Sequence, residues 1–284
     1  MTMTGLDMCE LLAMSSSLTE QLTFSLRTLA SRGGHGSNTH DGWGVAFYQG
    51  DDVALFREPA AAADSALVQF LATNGPSTHL AISHIRHATQ GTVQLSNTQP
   101  FVRELGGGTH VFAHNGNLVG IENSAEMKLG SHRPVGQTDS EHAFCALLAR
   151  LQPLWKDSKP PSFEARLKLL TKFASDLRTL GPANFLYADG DVLFAHGHRR
   201  IQHENGQIEP PGLWILERHC SFAETPVDTP ADNSADHQGG LAIKHADQSV
   251  VLFASVPLTA EAWRPLTEGE LLVVRTGKIV QLSV

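Results

Sequence analysis

Two helical segments in the middle of the chain, with short apolar strands on both sides, narrow the possible folds sharply. Residues 139–151 read as a helix, because Thr138 can cap the first turn and Glu141 stands at the third helical position as in a capping box. Residues 163–180 read as a second helix, closed by Gly181-Pro182. Before the pair, strands are expected at 9–14, 43–49, 53–57, 79–86 and 109–114, with a hairpin at Gly50-Asp51-Asp52. After it they are expected at 183–188, 192–195, 213–216, 241–244, 250–255, 271–275 and 278–282. Further helices are expected at 18–30, behind Ser17, and at 65–72. Residues 217–240 read as a long polar loop. Strands, then helices, then strands again point to a layered α+β protein without internal repeats.

Composition removes several classes of function. The 284 residues are 41% hydrophobic and 18% charged, as expected of a globular chain with a sizeable core. The formal net charge is −8 and Lys/Arg clusters are scarce, which argues against nucleic acid as a partner. No apolar run reaches the roughly 18–20 residues of a membrane span, so no membrane role is expected. Residues 1–7 have neither the basic start nor the apolar centre of a secretory signal. Cys9, Cys145 and Cys220 are widely spaced and odd in number, which suits a reducing, cytoplasmic setting better than a disulfide framework.

Chemistry concentrates in four short segments. The first is Met8-Cys9. A cysteine at a chain start carries both a thiol and an α-amine, with reference pKa values of roughly 8.5 and 8. The amine can then take the proton of its own thiol, whereas the amide nitrogen of an internal cysteine cannot. The others are His84-Ile85-Arg86-His87-Ala88-Thr89, His114-Asn115-Gly116 and Gln137-Thr138-Asp139-Ser140-Glu141. Taken singly, each has an ordinary reading: a small buried thiol, a strand-end arginine, a turn and a helix-start acid.

Together, and in this order, the segments resemble the class II glutamine amidotransferases. The stretch Met8-Cys9-Glu10-Leu11-Leu12 and the run Asp41-Gly42-Trp43-Gly44 resemble its stand-alone members in particular. The resemblance covers roughly residues 1–150. It implies a four-layer αββα N-terminal-nucleophile hydrolase sandwich, with helices 18–30, 139–151 and 163–180 on its two outer faces. It implies Cys9 as nucleophile, Arg86 on the α-carboxylate of glutamine, Asn115 and Gly116 as the oxyanion hole, and Asp139 on the α-amine. Thr89 belongs to the same substrate-binding pattern. Gln90 departs from fused members, in which a histidine often follows the Ala-Thr pair. The implied domain is 9–284, with residues 1–8 an extension or a removed leader.

Residue chemistry agrees. Arg86 offers a planar fork to a carboxylate, and Asp139 an anion to an ammonium. Neither a metal nor an organic cofactor is needed. Fifteen histidines invite a metal reading, but His84 and His87 stand three apart on a strand and point to opposite faces. His196 and His198 share a face without a cysteine or carboxylate in zinc spacing. His84 shares a face with Arg86 and is expected to line the glutamine pocket. The expected activity is hydrolysis of glutamine, with ammonia available to a separate acceptor protein. The rivals are a γ-glutamyl hydrolase acting on a larger amide and a non-catalytic glutamine-binding module that keeps its extension.

Overall fold

Alternation along the first strand decides the architecture. The computed structural model describes residues 9–22, 41–88, 91–155, 159–202, 204–220 and 247–283. In β1 (Glu10–Glu20), Leu11 and Ala13 face one apolar layer and Leu12 and Met14 the other, and all four are fully buried. A strand buried on both faces must lie inside a stack of layers.

The chain continues with β2 (Trp43–Gln49), β3 (Asp52–Glu58), helix α1 (Ala66–Asn74) and β4 (Thr78–Ile85). Strands β5 (Phe101–Leu105) and β6 (Gly108–Gly116) precede the helical pair α2 (Asp139–Leu151) and α3 (Phe163–Arg178). Then come β7 (Ala183–Ala188), β8 (Leu193–His196), β9 (Arg200–Ile201), β10 (Ile208–Glu209) and β11 (Trp214–Cys220). The last are β12 (Gln248–Ala254), β13 (Arg264–Pro265), β14 (Leu271–Arg275) and β15 (Lys278–Ser283). A seven-stranded sheet runs β13-β11-β12-β1-β4-β2-β3, and a six-stranded sheet runs β15-β14-β8-β7-β6-β5. Strands within each sheet pair antiparallel.

The sheets face each other across Leu11, Ala13, Ile82 and Phe253 on one side and Val111, Ala113, Leu186 and Leu272 on the other. Helices α2 and α3 cover the outer face of the six-stranded sheet, where Phe144, Leu148, Leu170 and Phe173 meet Phe112 and Phe185. The outer face of the seven-stranded sheet receives Val68 and Leu71 from α1, with Leu258 and Trp263 from the β12–β13 connection. The order is therefore helix, sheet, sheet, helix, the expected four-layer sandwich.

Phe112 ties the last two layers together. It is fully buried, with ring centroids 5.4 Å from Phe144 and 5.7 Å from Phe185. Phe112→Ala is expected to destabilise the fold by about 3–5 kcal/mol, because the packed helices cannot collapse into the space left. Denaturant unfolding of the two proteins measures this directly.

Several expectations needed correction. The helix placed at 18–30 does not start there. Strand β1 runs on to Glu20, which pairs with Thr78 and accepts a 2.7 Å hydrogen bond from Gln248. Residues 23–30 lie outside the described residues, and α1 is the described helix on that face. The polar loop placed at 217–240 begins late, because β11 pairs with β12 through Cys220. The rest of that loop, and the strand at 241–244, lie outside the described residues. Strand β5 was missed because Arg103 and Glu104 interrupt its apolar pattern. No helix among the described residues is long and apolar enough to cross a membrane.

Candidate active site

Antiparallel pairing of β1 with β4 sets the start of one strand beside the end of the other, with Glu10 opposite Ile85. Cys9, just ahead of β1, therefore meets the residues just beyond β4. Its sulfur accepts a hydrogen bond from the His87 backbone N–H at 3.1 Å and lies 3.3 Å from the His87 carbonyl oxygen, to which the thiol donates. Burial pushes the Cys9 thiol up to about 11, while the backbone bond from His87 and the Arg86 charge pull it down. Glu10 and Asp139 push it up further. The balance is a protonated thiol at neutral pH, which becomes a nucleophile only if a base takes its proton. Both Arg86 and Asp139 stand close enough for their charges to be felt at the sulfur.

Arg86 is almost fully buried and held by backbone from two loops. Its guanidinium donates to the carbonyls of Asp41, Thr92 and Gly91 at 3.5, 3.3 and 3.2 Å, and its own N–H donates to the Gly42 carbonyl at 2.7 Å. The Asp41 carboxylate accepts the Ala88 N–H at 2.7 Å, so the Asp41-Gly42 loop fixes the turn that presents the arginine.

The second sheet supplies the other side. Asn115, at the end of β6, donates its side-chain amide to the Cys9 carbonyl oxygen and lies 3.5 Å from the Ser255 hydroxyl. Gly116 follows where only glycine fits. A Cβ there would lie 1.8 Å from the Pro182 carbonyl oxygen, since Gly116 pairs with Ala183 on β7. Asp139 is the first residue of α2, where the helix dipole favours an anion. One carboxylate oxygen accepts the Leu118 N–H at 2.7 Å, and the other accepts the Ser140 N–H at 2.8 Å. Beside it opens a cleft of about 620 Å³, lined by Asn117, Leu118, Gly136, Gln137 and His142 among others.

The structure thus sets the Asn115 amide and the His87 backbone against Cys9, with Arg86 and Asp139 near enough for their charges to act on its sulfur and Gly116 next to Asn115 in the chain. His84 is the residue expected to line the glutamine pocket. It is fully enclosed on the face of β4 that looks between the sheets, and neither ring nitrogen has a hydrogen-bond partner. Burial, with the Arg86 charge beside it, holds its pKa down to about 3, so it is neutral. Thr89 and Gln90 lie outside the described residues. The capping box is half formed. Thr138 caps the Glu141 N–H at 3.2 Å, but the Glu141 carboxylate accepts the N–H groups of Val135 and Gly136 and pairs with Arg103.

Three supporting residues escaped sequence reasoning. Glu10 forms a buried ion pair with Arg200 at 3.1 Å, and Arg200 donates to the Ser255 carbonyl at 2.7 Å. The Ser255 hydroxyl accepts the Leu11 N–H at 2.9 Å. Together they pin the strand end that carries Cys9. A charged Glu10 inside an apolar strand was a signal that a cation must come to meet it, because an unpaired buried charge is costly. Nothing in the sequence pointed to Arg200 as the partner.

Comparison with known proteins identifies the family. Residues 8–284 match the family model of class-II glutamine amidotransferases. A relative from Escherichia coli, named "Putative glutamine amidotransferase YafJ", is 33% identical over 264 residues, covering 93% of this chain and 96% of the relative. A crystal structure described as a predicted glutamine amidotransferase from Pseudomonas aeruginosa superposes with a TM-score of 0.66 at 31% identity, over 96% of this chain and 100% of that one. The phosphoribosylpyrophosphate amidotransferase of B. subtilis shares the fold, with a TM-score of 0.55 at 16% identity over 97% of this chain and 49% of that one.

Proposed function

We propose that this chain, which belongs to the class-II glutamine amidotransferases, hydrolyses the side-chain amide of glutamine with Cys9 as nucleophile. The observation that carries this reading is the convergence on Cys9. The Asn115 amide bonds the nucleophile's own carbonyl, and two opposite fixed charges, Arg86 and Asp139, act on its sulfur. Free glutamine carries complementary charges, a carboxylate for Arg86 and an ammonium for Asp139, and clamping both aims its amide at the thiol.

In the working form the chain begins at Cys9. The α-amine takes the thiol proton, and the thiolate attacks the amide carbon. The developing oxyanion is held by an Asn115 side-chain N–H and the Gly116 backbone N–H. Asn115 carries two such N–H groups; one bonds the Cys9 carbonyl, and the other, held only by a long 3.5 Å contact with the Ser255 hydroxyl, is the one given to the oxyanion. The protonated amine passes its proton to the departing nitrogen, the C–N bond breaks, and ammonia leaves a γ-glutamyl thioester. The amine then takes a proton from water, the hydroxide attacks the thioester, the C–S bond breaks, the leaving sulfur takes the proton back from the amine, and glutamate is released. Ammonia is free to pass to a separate acceptor protein.

Release of amine from glutamine and from γ-glutamyl amides of increasing size tests the reading. Protein beginning at Cys9 is expected to prefer glutamine, whose leaving group is the smallest. A higher kcat/KM on bulky amides would replace it with the γ-glutamyl hydrolase. Binding of glutamine without turnover would leave only the non-catalytic module.

A further inference from the structure

We propose that His114 and Ser140 form a positioning relay that fixes the Asp139 carboxylate for the ammonium of the substrate. The proposal rests on the glutamine reading above and goes beyond it, because neither residue touches the reacting atoms. His114 is the last residue of β6 before the Asn115-Gly116 pair, and its side chain is buried. Its Nδ1 lies 2.9 Å from the Ser140 hydroxyl, and that hydroxyl lies 3.3 Å from Asp139 Oδ1. Ser140 is itself buried at the second position of α2.

Proton counting gives the chain a direction. A serine hydroxyl has one hydrogen and can donate to only one of its two neighbours. The carboxylate is the stronger acceptor, since hydrogen bonds to charged groups are worth more than neutral ones. The proton of Ser140 therefore belongs to Asp139, and His114 must donate to Ser140 from Nδ1. His114 Nε2 has no partner at full hydrogen-bond geometry, with the Pro182 backbone its nearest acceptor, so the direction of the relay rests on the stronger pull of the carboxylate on the Ser140 hydroxyl. Burial keeps the imidazole neutral in spite of the nearby Asp139 charge. The backbone of His114 is locked as well, with its N–H on Gln99 Oε1 at 2.7 Å and its carbonyl accepting Gln99 Nε2 at 3.1 Å.

Asp139 then has its oxygens set by the Leu118 N–H, the Ser140 N–H and the Ser140 hydroxyl. With its orientation set this way, the carboxylate meets an incoming ammonium without rearranging. Because His114 adjoins Asn115 in sequence, the ammonium clamp and the oxyanion donors hang on the same short run of β6.

The test uses a substrate pair. Glutaramate, the monoamide of glutaric acid, is glutamine without the α-ammonium. Ser140→Ala in protein beginning at Cys9 is expected to lower kcat/KM for glutamine about tenfold, mainly through KM, as for loss of one hydrogen bond to a charged group. Its kcat/KM for glutaramate should be unchanged, because there is no ammonium to hold. His114→Asn keeps a donor near the Nδ1 position and should retain most of the glutamine activity, whereas His114→Leu should behave like Ser140→Ala. Equal losses on the two substrates, or equal behaviour of His114→Asn and His114→Leu, would overturn the relay. Wild-type protein that releases no ammonia from glutamine would instead remove the glutamine reading, and the relay with it.

Discussion

Protein whose first residue is Cys9 is expected to release ammonia from glutamine about 10²–10⁴ times faster than the same protein with residues 1–8 attached, the range typical of a positioned general base. The reason lies in the thiol. Burial holds it near 11, so only about one molecule in 10⁴ would carry a thiolate at pH 7 unaided. Among the described residues, the side chains around it offer no replacement base. Burial holds His84 down to about 3 and pulls His114 below the usual imidazole value, and His84 has no exposed atom to shuttle a proton. His87 meets the sulfur with its backbone, not its ring. An α-amine with a reference pKa of about 8 is suited to the task, and an amide nitrogen at the same place has no basicity. The pH profile carries the signature. As pH rises, kcat/KM should climb with a midpoint near ~8, where the amine loses its proton, and not near the thiol value. Ammonia release by the two forms, each checked by intact mass, decides the matter. Equal rates would remove the amine from the mechanism.

Legibility differed between the parts of this molecule for physical reasons. Helices α2 and α3 were readable because their signals are local: Thr138 caps one and Gly181-Pro182 closes the other. Strand β1 was readable only in its first half. Its second half is polar, Ser15-Ser16-Ser17, and takes its conformation from pairing with β12 and β4, partners far away in sequence. Cys9, Arg86, Asn115, Gly116 and Asp139 were nameable because short motifs surround each of them. Their mutual arrangement was not, since two sheets must face each other before Asn115 reaches Cys9. The assignment of His84 shows the limit of face arguments. Alternation placed it on the face of β4 that looks between the sheets, where it is fully buried, and a shared face does not by itself make a shared pocket. Arg200 shows the same limit from the other side, as an ion-pair partner about which the local pattern around Glu10 says nothing.

Gly116→Ala is expected to cost about 10²–10³ in kcat together with roughly 1–3 kcal/mol of stability. The added Cβ would sit 1.8 Å from the Pro182 carbonyl oxygen and 2.7 Å from its carbon, both backbone atoms that no rotamer change can move. The end of β6 must therefore swing away from β7. That motion strains the pairing of Gly116 with Ala183 and the 3.1 Å bond from the Asn184 amide to the Asn115 carbonyl. It also carries the Gly116 N–H and the Asn115 side chain away from the point where an oxyanion on the Cys9 adduct would form. A second variant separates geometry from chemistry. Asn115→Ala removes one donor without pushing any backbone, so its loss in kcat should be comparable while its stability falls less. Thermal unfolding and single-turnover rates of the two variants give both quantities. If Gly116→Ala kept its rate within about threefold, the end of β6 could not be the oxyanion-holding element, because a donor displaced from a preorganised site forfeits most of its effect.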